Sequence, residues 1–177
     1  VGVLGMALPV IMLVATPLIC PSGDILSSLS HYYHTTIGHV FVAVLCIVAY
    51  AFYAYRGYSK TDNYLAYAVT IFALGVAFFP TSSNAHDVSV NDCLSVEHLN
   101  GWKSIVHFTS AALLFAVFAI FCLRQFRKSS KTKLEIMGTR KAIRNKVYTV
   151  CGILIIASIG FIALSSFWLV PNYPDLS

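Results

Sequence analysis

Apolar residues run along this chain in long blocks, each bounded by polar, Gly or Pro residues, and none shows the two-residue alternation of a barrel strand. Crossing hydrocarbon takes about 20 apolar residues per helix, at about 1.5 Å of rise each. Five blocks qualify: residues 1–20, 36–55, 64–80, 104–123 and 147–170. A helix pairs every backbone N–H and C=O within itself, which hydrocarbon demands. The pattern predicts an all-α bundle of five transmembrane helices, a single transmembrane domain over residues 1–177. Its outer loops are expected at 21–35 and 81–103, and its long basic loop at 124–146.

The first block has no basic residue before it and no small-residue cleavage site at its end, so it reads as a helix rather than a signal peptide. Pro9 and Pro17 should bend or loosen it. Small residues let membrane helices approach closely, which makes Gly2, Gly5, Ala68, Gly75, Ala111, Ala112, Gly152 and Gly160 the expected contact points.

Composition sharpens the reading. Only 11% of residues are charged and 58% are hydrophobic, with a mean hydropathy of +0.75, whereas a soluble domain carries roughly a quarter charged residues. The charges also give a direction. Lys and Arg near span ends favour the cytoplasmic side. Arg56 and Lys60 lie between the second and third blocks, and Arg124, Arg127, Lys128, Lys131, Lys133, Arg140, Lys141, Arg144 and Lys146 between the fourth and fifth. Of the 12 cations only Lys103 falls on the other side. The N-terminus is therefore expected in the cytoplasm and the C-terminus outside it. The net charge of +5 then reports orientation and contact with anionic headgroups, not nucleic acid.

All 6 histidines, His31, His34, His39, His86, His98 and His107, sort to the outer side. If the stretch before the second block is helical, His31, Thr35 and His39 share a face, with His34 slightly offset. His107 lies near the outer end of the fourth block, so two helices bring polar groups to a similar depth. An intramembrane imidazole needs a partner. One reading is an interhelical hydrogen bond from His107 to a Tyr or Ser before the second block, contributing roughly 0.6–2 kcal/mol. A second is a zinc site drawn from His31, His34, His86, Asp87 and His107, with Ser30 or a water as reaction partner. A third is a b-type haem held by His39 and His107 on facing helices.

Cys46, Cys122 and Cys151 fall inside apolar blocks, and Cys20 and Cys93 at the outer face, where an oxidising compartment permits a disulfide. A metal site using Cys93 and His98 is the alternative there. On the cytoplasmic side, Arg56 and Asp62 are placed to pair across a short turn and to suit the helix dipoles.

Ser28-Leu29-Ser30-His31-Tyr32-Tyr33-His34-Thr35, Tyr55-Arg56-Gly57-Tyr58 with Asp62-Asn63, Phe79-Pro80-Thr81, His107 with Ser110-Ala111-Ala112, and Arg144-Asn145-Lys146-Val147-Tyr148 together resemble an uncharacterised family of small bacterial multi-pass inner-membrane proteins. That resemblance spans most of the chain and implies a bacterial inner-membrane location, but no activity. A fainter similarity joins Ser30-x-x-x-His34 and Ser27-x-x-x-His31 to the Ser-x-x-x-His element of the alkaline ceramidase and adiponectin receptor superfamily of zinc hydrolases. The His-x-x-x-His element of that superfamily is missing here. Three functions are carried forward: a non-catalytic protein that binds membrane lipids or serves other membrane subunits, a zinc-dependent hydrolase of a lipid or amide, and a small haem protein.

Overall fold

The structure, a computed structural model, describes residues 2–19, 29–35, 37–81, 101–127 and 140–165. Regular structure among them is helical: α1 (Gly2–Ile19), a 3-10 helix (Leu29–His34), α2 (Gly38–Ala54), α3 (Lys60–Phe78), α4 (Gly101–Ile120) running on into a π-helical turn (Phe121–Gln125), and α5 (Arg140–Leu164). Three are long and apolar enough to cross a membrane: α3, α4 with its π turn, and α5; α1 and α2 are apolar but shorter. The chain divides into two compact units, residues 1–111 and 112–177, with the boundary inside α4.

In the first unit α1 buries Leu8, Met12 and Thr16, a stripe at i, i+4 and i+8. Thr16 returns its hydroxyl to the Met12 carbonyl at 2.7 Å, so even the polar member of the stripe is satisfied within the helix. Helix α1 continues through both prolines. Against it and α3 packs α2, burying Gly38, Phe41, Val44, Val48 and Ala49. The matching face of α3 is Asp62, Ala66, Val69, Ala73, Val76 and Ala77. Its alternating steps of four and three keep one seam toward the neighbour, and the alanines let the backbones close. Thr70 fixes the pair, its hydroxyl 3.1 Å from both the Ala49 and Ala66 carbonyls.

The turn from α2 to α3 is built around Asp62. Ser59 caps α3 and Asp62 answers it in a reciprocal capping box. Asp62 Oδ2 also accepts from the amides of Tyr58 and Ser59 at 3.1 and 3.2 Å, and Asn63 Oδ1 from Gly57 at 2.8 Å. Arg56 donates to the Tyr67 hydroxyl at 2.9 Å. Because this cap holds, α3 begins at Lys60 rather than at residue 64.

Gly75 carries the contact between α3 and α4: a Cβ there would sit 2.4 Å from Ser110 Oγ and 2.9 Å from Ser110 Cβ. In the second unit Gly152 of α5 does the same against the π turn, where a Cβ would meet Leu123 Cγ at 2.7 Å, and the rings of Phe126 and Tyr148 lie 5.2 Å apart. Gly2, Gly5 and Gly160 meet nothing within 4 Å, Ala68 and Ala111 are half-buried, and Ala112 is exposed. Small residues at those positions make no close approach among the described residues. Helix α5 starts at Arg140, earlier than the apolar block at 147, because its first two turns are basic. Only 6% of its apolar window is buried.

Candidate functional site

A polar cluster forms where three elements of the first unit end together: the 3-10 helix that leads into α2, the residues just past α3, and the second turn of α4. The 3-10 winding decides which histidine turns inward. It breaks before α2, so His31, Thr35 and His39 do not share one continuous α-helical face; His34 is buried and His39, in the first turn of α2, is exposed. Gly38 makes the fold-back possible, because a Cβ there would overlap the Tyr33 carbonyl. Thr35 ties the turn with its hydroxyl 2.7 Å and its amide 3.1 Å from the Tyr32 carbonyl.

Pro80 supplies the acceptors. It has no N–H, so it cannot close the next helical bond at the end of α3, and it pushes Phe79 to an extended conformation (φ −108, ψ 106). Carbonyls left without helical donors at a helix end must find others. His107, 0% exposed, donates Nδ1–H to the Phe79 carbonyl at 2.6 Å. His34 donates Nε2–H to the Thr81 carbonyl at 2.7 Å, and the Thr81 hydroxyl reaches the Ser30 carbonyl at 3.5 Å.

The second nitrogen of His107 meets Ser30 Oγ at 3.1 Å. A carbonyl only accepts, so Nδ1 carries the proton; in the neutral ring Nε2 holds the lone pair and the Ser30 hydroxyl donates to it. Ser30 is half-buried, so the hydroxyl stands on the accessible side of a buried ring. Around it, Trp102, Ile105 and Phe108 of α4 and Phe78 of α3 are exposed apolar side chains.

The structure thus brings together two of the histidines expected at the outer face, His34 and His107, with Ser30. The His31 side chain, His86, Asp87, His98, Cys20 and Cys93 lie outside the described residues, so a zinc site completed by them, the Cys93 and His98 alternative and a Cys20–Cys93 bridge do too. Among the described residues no three His, Cys, Asp or Glu side chains come within reach of one ion. A metal on His107 would take Nε2 and displace Ser30. Haem ligation by His39 and His107 would require a buried ring, with both nitrogens engaged, to release one toward an exposed partner.

Sequence reasoning named Ser30 only as an accessory and missed the Phe79 carbonyl. A main-chain acceptor has no side-chain signature, and the one available signal was Pro80 at the end of an apolar block opposite a buried donor. Compared with known proteins, the chain matches no family model, and neither a curated protein nor a solved structure matches it. Function is therefore argued from this cluster.

Proposed function

We propose that the chain is a five-span protein of the bacterial inner membrane, with its N-terminus in the cytoplasm, that binds a membrane lipid at the polar cluster on its outer side. The charge asymmetry supports the orientation: Arg56 and Lys60 lie at the end of α3 opposite Phe79 and Thr81, and the remaining cations but Lys103 follow α4 or open α5. The observation that carries the lipid reading is the Ser30–His107 pair, a polar edge one side of which is half open, surrounded by exposed Trp102, Ile105 and Phe108. Polar atoms ringed by apolar ones at a span end suit a ligand with an ester or headgroup joined to an acyl chain.

Two measurements test this. A cysteine replacing Tyr58 should react with an impermeant thiol reagent only in inside-out vesicles, and one replacing Trp102 only in right-side-out vesicles; both reacting from one side would refute the topology. Native mass measurement in mild detergent should show the chain with lipid retained. A lipid-free chain, or a larger assembly without lipid, would overturn the binding reading and favour an accessory subunit.

A further inference from the structure

We propose that Ser30 and His107 form a nucleophile and general-base pair that accepts the acyl group of an ester-linked membrane lipid. The inference deepens the lipid-binding reading and rests on it. The arrangement is that of an activated hydroxyl: nucleophile and base in hydrogen-bond reach at 3.1 Å, and the base oriented through its other nitrogen by a third group at 2.6 Å. Here the third group is the Phe79 carbonyl, a positioning group. It fixes the tautomer that leaves Nε2 basic, as a carboxylate does elsewhere, though it carries no full charge to stabilise the imidazolium, so turnover should be slow.

The location selects the substrate. His107 stands six residues into α4, about 9 Å along the axis at about 1.5 Å per residue. That is a depth at which the ester linkages of a lipid lie, between headgroup and hydrocarbon. Phe78, Ile105 and Phe108 offer apolar surface beside the pair for the chain that follows such a linkage. The Thr81 hydroxyl on the Ser30 carbonyl and the His34 bond to Thr81 hold the segment that carries the nucleophile.

In the step, Ser30 Oγ bonds to the ester carbonyl carbon as its proton passes to His107 Nε2. The ester C–O bond breaks, and the proton moves from Nε2 to the leaving alcohol oxygen, leaving an acyl group on Ser30. Water then attacks that acyl carbon, giving its proton to Nε2. Ser30 recovers a proton from the ring and a fatty acid departs. No redox change occurs.

The test uses the full chain in mild detergent and a fluorophosphonate bearing an alkyl chain, which modifies only activated hydroxyls. Peptide mass mapping should find the adduct on Ser30 and none on Ser59, an exposed hydroxyl that serves as an internal control. Ser30→Ala should abolish labelling with an unchanged unfolding midpoint. His107→Gln, where it folds, should slow labelling at least about a hundredfold, within the usual range for a general base. No adduct on folded wild-type protein, or equal adducts on Ser30 and Ser59, would overturn the proposal without help from any variant. Lipid retained in the native mass measurement with no Ser30 adduct would overturn the acyl chemistry alone. A Ser30 adduct that chelation of divalent metals removes would overturn the metal-free pair in favour of zinc.

Discussion

His34 and Thr81 are joined across 47 residues of sequence by a single 2.7 Å hydrogen bond from an imidazole to a main-chain carbonyl. Because the acceptor is backbone, the bond depends on the histidine and not on the threonine side chain. His34→Ala should leave a buried carbonyl unsatisfied and cost about 1–3 kcal/mol. Thr81→Val keeps that bond, loses only the longer one to Ser30, and should cost less. Unfolding in mixed detergent and denaturant gives the order, and Thr81→Val proving the worse would show that the carbonyl is not what His34 serves.

Close approach at Gly75 yields a paired prediction. Gly75→Ala would push a Cβ into Ser110 Cβ, which is part of a helix and cannot swing aside, so about 1–3 kcal/mol should be lost. Ser110→Gly should recover most of the loss in the double variant. Additive losses in a double-mutant cycle would mean the two sites do not touch.

Asp62 satisfies several amides at the start of α3. Asp62→Ala should cost about 1–2 kcal/mol, as lost caps do. Asp62→Asn keeps an acceptor oxygen and should cost less than half of that. Protease cleavage between residues 55 and 60 of reconstituted protein, faster in Asp62→Ala than in Asp62→Asn, would report the opened turn.

Cys46, Cys122 and Cys151 are free thiols. If Cys20 and Cys93 are bridged, thiol titration of denatured, unreduced protein should give three of the five cysteines, and all five after reduction. Five before reduction would remove the bridge.

Apolar runs made most of the fold legible. The starts of α3 and α5 were not, because Lys60, Asp62, Arg140 and Lys141 are polar, and helical winding there is set by caps and interfacial charge rather than by hydrophobicity. For the cluster, the sequence gave away the residue types and their common end of the bundle, since His34 and His107 do meet near Ser30. It misled on the face: assuming a 3.6-residue period placed His39 beside His31, whereas the 3-10 turn and the break before Gly38 put His34 inside and His39 outside.

The π turn at Phe121–Gln125, closed by the Phe126 amide on the Phe121 carbonyl at 2.9 Å, holds one residue more than an ordinary turn. Each residue advances a helix by about 100°, so the surplus one changes the azimuth of Arg127 relative to everything upstream. Such a bulge is what a single-codon insertion leaves when a helix absorbs it. Deleting one residue from this stretch would return the helix to plain α winding and swing its basic tail about a quarter turn, whereas the same deletion nearer Gly101 would put the whole remainder out of phase.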